Sequence, residues 1–434
     1  MKKQDVPAAR GTRQWAQPST ARRQGRGDTA LAAATQGGDR PFGGVRIIDL
    51  ARELGSYATR LFADLGAEVI RIERPGGGAD RWRPPLFEES GGRRFGGVPF
   101  AFLNANKKSV VVEYREERGR NILCDLVAKA DIVFYEADED RQALLPLLVQ
   151  AGGRRVITVV SYFGLAGPYS DYLGSDLVAQ ALGGLAWLSG DPTRPPLRIA
   201  GEQTGFISSL YAAAATAIAL WDVESGGAGH ILDVSAQECI AHSLQNATQV
   251  YDLERRISGR GGGGTRDASE NIFACKDGLV FLACPLTLAN TWDSLLAWMA
   301  EEGHPGALRL SAPAWRDQPT RTKAAMHAEF REIFEAFIAG KTKAELAAEA
   351  LARKLILAPV NRVADTPADR QLVFRNYFRN VAHPALDRTL TFPGAPYHLS
   401  EPVWSIARAA PLLGEHDAAL LAEWAGPPAT RHTE

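Results

Sequence analysis

Histidine is absent from the N-terminal half of the chain, where none precedes His230. This absence excludes a Ser-His-Asp triad or an HExxH zinc site built from that half alone. The GxSxG turn that presents a nucleophilic serine is missing as well. Any nucleophilic or acid–base chemistry in this half must therefore rely on carboxylates.

Cysteine is scarce and scattered. Cys124, Cys239, Cys275 and Cys284 form no CxxC pair, which argues against a zinc ribbon and against a disulfide framework. We therefore expect no metal site. A reducing environment suits these cysteines best, so the predicted location is the cytoplasm.

An excess of charge of one sign and long apolar runs are also lacking. The net charge of −1 provides no global field for nucleic acid or an anionic membrane, so anion binding must be local. The longest apolar stretch, from Leu210 to Trp221, is shorter than a membrane span. We expect a soluble protein that binds neither nucleic acid nor membrane. Residues 1–40 are rich in arginine without an apolar segment and predict a disordered basic tail.

From Gly44 onward, apolar strands alternate with helices. The strands are predicted at "VRIIDL", "AEVIRIE", "SVVVEY", "DIVFY" and "VITVVSYF", and the first helices at "YATRLFADLG" and "RGRNILCDLVAKA". Strands joined by helical crossovers predict an α/β fold with a parallel sheet covered on both faces. Ligands bind at the carboxyl ends of such strands, so the loops after Leu50, Glu73 and Tyr135 are the expected binding region.

The remaining sequence predicts a second, smaller α+β domain. It contains the strand "GLVFLAC" and three helical segments, and a proline-rich segment follows it. The expected boundaries are 41–225 for the large domain, 226–255 for a linker helix, 256–355 for the small domain and 356–389 for a returning linker, with 390–434 completing the large domain.

Three loops have the composition of ligand-binding segments. "IERPGGGADRWR", from Ile72 to Arg83, combines glycines with arginines, which suits phosphate. "LNANKKSVVVEY" places two asparagines and two lysines before a strand. The run Gly261–Gly264 is either a flexible linker or a mobile gate. For the first two, an ordinary solvated loop is the alternative. A dinucleotide fingerprint is excluded, because the first turn, "DLARELGSY", has no GxGxxG.

A lone carboxylate, Glu202, precedes the long Ala-rich helix that begins at Thr204. The positive end of the helix dipole favours its ionised form, and a carboxylate here can accept backbone N–H bonds. Helix capping is one interpretation. The other is an oriented nucleophile that forms covalent acyl intermediates. The sequence pattern alone leaves both open.

Several segments together resemble one known family. These are "VRIIDLARELGSYATRLFADLGAEVIRIERPGGGAD", "NANKKSVVVE", "ADIVF", "SYFGLAGPYSDYLGSDLVAQALGGLAWLSG", "GAGHILDVSAQE" and "APLLGEHDAALLAEWAG". In this order they resemble the family III CoA-transferases, over about residues 44–427. The resemblance implies a large domain with a Rossmann-like sheet, a small domain, and two chains threaded into an interlocked dimer.

The resemblance also implies the reaction and its residues. Members move CoA from an acyl-CoA to a free carboxylic acid through a carboxylate nucleophile, with CoA as a substrate and no permanently bound cofactor. Glu202 stands at the position that we match to the family's nucleophilic aspartate. The residues expected to bind CoA are Arg74, Asn104, Asn106, Lys107, Arg115, Gly261 and Gly262. The acidic "FYEADED", Phe134 to Asp140, departs from the family pattern and should repel a polyphosphate.

Two alternatives accompany this interpretation. An α-methylacyl-CoA racemase has the same fold, but it carries "GHD" where this chain has "GSD", Gly174 to Asp176. A proton transfer without that imidazole is less plausible. The other alternative is a catalytically degenerate subunit that pairs with an active paralogue in place of a homodimer.

Overall fold

The computed structural model describes residues 40–87, 95–137, 140–260, 266–288 and 290–425. Residues 1–39 of the predicted basic tail lie outside these ranges. The predicted CoA-binding glycines Gly261 and Gly262 also lie outside them. The strands are β1 (Arg46–Leu50), β2 (Glu68–Glu73), β3 (Lys108–Val111), β4 (Ile132–Glu136), β5 (Val156–Ser161), β6 (His230–Ser235), β7 (Asn271–Cys275), β8 (Gly278–Ala283), β9 (Ile356–Val360), β10 (Phe378–His383) and β11 (Arg388–Pro393).

Helices lie between most of these strands in the described residues. They are α1 (Ser56–Asp64), α2 (Val98–Leu103), α3 (Glu117–Ala128), α4 (Arg141–Gln150), α5 (Asp176–Leu182), α6 (Leu185–Leu188), α7 (Gln203–Glu224), α8 (Ala236–Ser243), α9 (Gln245–Glu254), α10 (Thr291–Glu301), α11 (Gly306–Leu310), α12 (Gln318–Arg321), α13 (Ala324–Ile338), α14 (Lys343–Arg353), α15 (Arg370–Phe374) and α16 (Asp417–Leu420). The sequence "AQECIAHSLQNATQVYDLERR", Ala236 to Arg256, predicts one helix, but the structure breaks it at Leu244 into α8 and α9.

The large sheet has six parallel strands in the order β3-β2-β1-β4-β5-β6. Successive residues of β1 face opposite sides: Ile47 packs with α1 and α7, and Ile48 packs with α3 and α4. Both faces of β1 therefore carry buried apolar side chains. The predicted α/β fold with a covered parallel sheet is confirmed. The order reverses between β1 and β4, which creates a crevice at their carboxyl ends.

A smaller antiparallel sheet, β7-β8-β9, supports the second hydrophobic core. Trp292 stacks on Trp315 with ring centroids 5.7 Å apart, and Phe330 stacks on Phe334. A Thr342–Glu345 capping box starts α14 over this sheet. The smaller domain is therefore confirmed as mixed α and β. The predicted domain boundaries stay predictions, although β6 joins the large sheet beyond residue 225.

The C-terminal segment returns to the large sheet and is fixed there by hydrogen bonds. Asp417 Oδ1 accepts the backbone N–H of Val111 in β3 at 2.8 Å. The Asn106 carboxamide donates to the carbonyl of Ser405 and accepts the N–H groups of Ala407 and Arg408. These bonds satisfy backbone groups at the β3 edge, which would otherwise remain open for pairing.

One helix in the described ranges, α7, is long and apolar enough to cross a membrane by length and composition alone. It packs against α1, β5, β6 and α8, as a core helix does. Its outer face is apolar and exposed: Ile218 and Trp221 are each 70% exposed. Such a face indicates contact with another surface.

A buried histidine predicts a pH-dependent stability. His383 is 2% exposed, its ring lies 4.3 Å from that of Phe95, and neither ring nitrogen has a partner among the described residues. Burial lowers the pKa of His383. The unfolded chain therefore binds more protons, so the free energy of unfolding falls as pH decreases below about 6.5.

Replacing His383 with leucine should remove this contribution, because a neutral apolar side chain has nothing to protonate. Urea unfolding at several pH values between about 7 and 5 tests this. The variant should gain stability relative to the wild type as pH falls. The exposed His398, changed to leucine in the same way, is the control and should show no such trend. A constant difference between wild type and the His383 variant would refute the assignment.

Candidate active site

Two adjoining spaces lie at the carboxyl end of the large sheet. The inner cavity has a volume of about 340 Å³ and is bounded by Tyr57, Phe100, Phe102, Phe206, Asp176 and Glu202, among others. The outer cleft has a volume of about 960 Å³ and is bounded by Arg74, Arg115, Glu136, Ser161 and Gly174, among others. Arg52, Glu53, Asp80 and Tyr162 belong to both walls. A ligand can therefore extend from one space into the other.

The outer cleft lies where the sequence predicts binding. Leu50, Glu73, Glu136 and Ser161 end β1, β2, β4 and β5, and all of them line the cleft. Parallel strands place their carboxyl ends at one edge, so loops far apart in sequence meet there.

Glu202 is not a helix cap. Its backbone is left-handed (φ 58°, ψ 47°), and its carboxylate makes no capping bond to α7. Instead, Oε1 accepts from Arg198 Nη2 at 2.7 Å and contacts Arg83 Nη2. A non-glycine residue in this conformation costs about 1–2 kcal/mol and persists where neighbouring contacts hold it. The two arginines supply those contacts, and they direct the carboxylate into the inner cavity.

The cap of α7 is supplied by another residue of the cavity, Asp176. Its Oδ1 accepts the N–H of Thr204 at 3.0 Å, and Oδ2 accepts from Arg198 Nε at 2.6 Å and from Gln180 Nε2 at 2.9 Å. Burial alone would raise the pKa of Asp176, but the bonds from Arg198 and Thr204 hold it below its usual range. Asp176 is thus an ionised, rigidly oriented carboxylate.

Sequence reasoning missed Asp176 as a site residue. The available signal was its position one residue after Ser175, which caps α5 by accepting the N–H of Val178. An acid in the first turn of a helix, in the loop region after a buried strand, is a standard anion-stabilising context. Its link to Glu202 through Arg198 depends on tertiary structure and has no local sequence signature.

The two arginines predicted to bind CoA lie on the outer cleft. Arg74 Nε is 3.3 Å from Glu113 Oε1. Arg115 makes a bidentate pair with Asp140, with Nη2 2.8 Å from Oδ2. Both side chains keep more than a third of their surface exposed. They remain accessible to a polyphosphate in the cleft.

The acidic segment after β4 is partly neutralised by internal contacts. Glu136 Oε2 accepts the N–H groups of Arg52 and Leu54 at 2.8 and 2.9 Å, so this carboxylate fixes the loop after β1. Asp140 is paired with Arg115. Asp138 and Glu139 lie outside the described residues. The repulsion expected from Glu136 and Asp140 is thus reduced by their partners.

Of the asparagine and lysine motif, only Asn104 lines the inner cavity. Lys107 is completely buried, with Nζ 2.9 Å from Asp49 Oδ2 and bonded to Ser56 and Asn104. Asn106 bonds Asp64 and the C-terminal segment. Because Asn106 and Lys107 border neither space, we propose structural support for them in place of the CoA contact that the sequence predicts.

A buried ion network underlies the Gly-rich loop after β2. Arg81 belongs to the loop whose composition suits phosphate, but its side chain is 0% exposed. Its Nη2 and Nε donate to the two carboxylate oxygens of Glu73, at 2.5 and 2.8 Å. Arg71 pairs with Asp80 at 2.5 Å. Arg81 therefore shapes the loop from beneath and does not reach a ligand. Across the residues that the structure describes, no group of three histidine, cysteine, aspartate or glutamate side chains could hold a metal ion.

Comparison with known proteins identifies the family of the chain. The profile of CoA-transferase family III matches residues 42–417. The chain is 33% identical, over 88% of its length and 94% of the relative's, to the succinyl-CoA:(R)-benzylsuccinate CoA-transferase subunit BbsE of Thauera aromatica. It is 27% identical, over 88% of its length and 95% of the relative's, to the succinate–glutarate CoA-transferase of Agrobacterium fabrum.

A solved structure supports the same assignment. The CAIB/BAIF family protein from Brucella suis superposes with a TM-score of 0.78 at 25% identity, covering 89% of this chain and 99% of that one. The parallel sheet, the arginine-lined cleft and the two cavity carboxylates are thus found in a chain that belongs to CoA-transferase family III and is a CoA-transferase.

Proposed function

We propose that the enzyme moves CoA from an acyl-CoA to a free carboxylic acid through a carboxylate of the inner cavity. The observation that carries this proposal is the pair Asp176 and Glu202, bridged by Arg198 beside the arginine-lined cleft. Glu202 is the nucleophile that the sequence predicts. Asp176 is the candidate that the structure adds, and its burial favours it.

Burial protects an intermediate on Asp176 from water. A carboxylate that attacks a thioester forms a mixed anhydride, and an enzyme–CoA thioester follows, both of which water can hydrolyse. The Asp176 side chain is 9% exposed, whereas that of Glu202 is 37% exposed. Asp176 can hold these intermediates where less water reaches them. Glu202 then acts as a positioning residue that orients Arg198.

The steps balance without an external reagent. The carboxylate oxygen attacks the thioester carbonyl carbon, the C–S bond breaks, and CoA leaves as a thiolate. The thiolate attacks the enzyme's carbonyl carbon in the anhydride, which releases the donor acid and leaves a thioester on the enzyme. The acceptor carboxylate then reverses both steps. Arg198 contacts both candidate carboxylates and is placed to stabilise the negative oxygen of the tetrahedral intermediates that form beside it.

We place CoA in the outer cleft, with its phosphates near Arg74 and Arg115. The strand order β3-β2-β1-β4-β5-β6 is the one that binds dinucleotides at its switch point, and the cleft lies there, which supports the predicted Rossmann-like character. A guanidinium binds phosphate through paired N–H donors. Gly261 and Gly262 stay predictions as a loop over the intermediates.

Removing either cleft arginine should weaken acyl-CoA binding. We expect the Arg74→Ala or Arg115→Ala change to raise KM for acyl-CoA by about 10-fold, with little effect on kcat. One charge-assisted hydrogen bond contributes a binding free energy of this size. The effect should shrink at high salt, since both side chains are exposed. Steady-state kinetics at two salt concentrations measure it. Arg118→Ala, on the exposed face of α3, is the control, and an equal effect there would contradict the assignment.

We further propose that α7 contacts a second subunit, because Leu210, Ile218 and Trp221 on its outer face are exposed. A homodimer, interlocked as the family resemblance implies, is our first assignment. A heteromer with a paralogue is the second, since the relatives include a subunit from Thauera aromatica and alpha and beta subunits from Chloroflexus aurantiacus. Co-purification from the native host decides: one chain supports the homodimer, and a distinct partner chain supports the heteromer.

The racemase alternative is not favoured. The hydroxyl of Ser175, at the position where racemases carry histidine, accepts the N–H of Val178, and no histidine lines either space as described. Proton exchange at an α-carbon needs such a base.

We propose the cytoplasm as the location, since the four cysteines are free. Incubation with succinyl-CoA and a panel of acids, followed by chromatography of the CoA esters, tests the function.

A further inference from the structure

We propose that the inner cavity selects a carboxylic acid that carries an aromatic ring, and that Phe206 and Tyr57 form the ring-binding wall. This inference rests on the proposed function, since it names the substrate class of the same site. It arises from the chemistry of the cavity wall, which differs sharply between its two ends.

One end of the inner cavity is formed by aromatic and aliphatic side chains. The rings of Tyr57 and Phe206 lie 5.1 Å apart in an edge-to-face arrangement, and Phe102 lies 6.2 Å from Phe206. Val98 and Leu103 complete this end. A further flat ring can pack against such a pair, because the edge of one aromatic ring attracts the face of another.

The aromatic wall is held in place by contacts outside the cavity. Phe102 stacks on Phe392, and the guanidinium of Arg60 lies 4.2 Å from the centroid of the Phe102 ring. Phe206 is fixed by its position in the first turn of α7. The wall is therefore a preformed surface, which lowers the entropic cost of binding a ring.

The other end of the cavity carries charge that is already paired. Arg83 contacts Glu53 and Glu202, and Arg198 contacts Glu202 and Asp176. The carboxylates thus occupy donors of both guanidiniums. A second carboxylate on the substrate would compete with these protein carboxylates for the guanidinium N–H donors. Its own charge would then be poorly paired, which weakens binding. The reacting carboxyl group belongs at this end, and an uncharged ring belongs at the other.

The size of the space agrees with a small arylalkyl acid. A volume of about 340 Å³ is at the low end of the range for small-molecule sites. One ring and a short chain fill it better than a two- or three-carbon acid does. Unfilled apolar space forfeits contacts, so a small acid should bind less tightly.

The test compares acceptor acids with the full-length enzyme, using one CoA donor throughout. The acceptors are 3-phenylpropanoate, propanoate, which lacks the ring, and succinate, which replaces it with a carboxylate. We expect kcat/KM for 3-phenylpropanoate to exceed the other two by roughly 10-fold or more. Phe206→Ala should remove most of this preference, and Phe206→Leu, which keeps an apolar side chain, should reduce it. Phe374→Ala, at an exposed aromatic residue outside the cavity, is the matched control and should leave the preference unchanged.

The outcomes separate this inference from the proposed function. Efficient transfer to propanoate or succinate without a preference for the aryl acid overturns the inference and leaves CoA transfer intact. If no acid is converted, binding of 3-phenylpropanoate measured by saturation-transfer NMR decides: binding that weakens in Phe206→Ala and Phe206→Leu supports the aromatic site although the function fails. Binding unaffected by both variants overturns it.

Discussion

Replacing Asp176 with asparagine should lower kcat by at least about 10³-fold, because the amide cannot attack a thioester to form an anhydride. The variant keeps the size of the side chain and an oxygen that can accept the N–H of Thr204, so the cap of α7 is retained. The measurement is the initial rate of CoA transfer, with thermal unfolding recorded for the same preparation. An unchanged melting temperature together with lost activity identifies a chemical role.

Glu202→Gln is the matched variant, and it separates the two candidate nucleophiles. If Glu202 positions Arg198, the Glu202→Gln change should lower kcat by about 10- to 100-fold, because a misplaced catalytic group reduces the rate by about this factor. If Glu202 is itself the nucleophile, as the sequence predicts, the pattern reverses: Glu202→Gln becomes inactive and Asp176→Asn retains activity. Near-wild-type activity in both variants would contradict carboxylate catalysis in this cavity.

Replacing Lys107 with methionine should lower the free energy of unfolding by about 3–5 kcal/mol, because it leaves the charge of the buried Asp49 without its cationic partner. The Lys107 ammonium is completely buried and bonded to Asp49, Ser56 and Asn104. Burial lowers the pKa of Lys107 to about 8, although Asp49 opposes that shift. Urea unfolding measures the loss.

Lys108→Met provides the control for this variant. The neighbouring Lys108 pairs with Glu68 near the surface, where an ion pair contributes about 1 kcal/mol or less. The folded fraction of the Lys107→Met variant should keep the wild-type KM for acyl-CoA. A stable Lys107→Met protein with a greatly raised KM would restore the predicted CoA contact and refute the structural role.

The sequence predicts the fold well because apolar strands record their burial. Ile47 and Ile48 face different hydrophobic cores, so both faces of β1 carry buried apolar side chains, as expected for a parallel strand that is covered on both sides. The hairpin of β10 and β11 and the break at Leu244 were not predicted. Both depend on packing between segments distant along the chain, and local propensity carries no record of it.

The site is predicted only in part. Arg74 and Arg115 follow strands that end in the cleft, and topology alone places them there. The burial of Lys107 has no local signal, because exposed and buried lysines look alike in sequence and its partner Asp49 lies far away along the chain. The bridge from Asp176 through Arg198 to Glu202 was missed for the same reason. Sequence gives the residue types near a site, whereas the choice between neighbouring carboxylates requires their distances and burial.

During turnover, we expect a carboxylate of the inner cavity to become covalently attached to CoA. The direct measurement is mass spectrometry of the digested enzyme after a brief incubation with an acyl-CoA and reduction of the thioester with sodium borohydride in mildly alkaline solution, which converts the modified acid to an alcohol. We predict a modified peptide that carries the change at Asp176. Modification at Glu202 would transfer the nucleophile to that residue, and the absence of modification at either acid during active turnover would contradict the account.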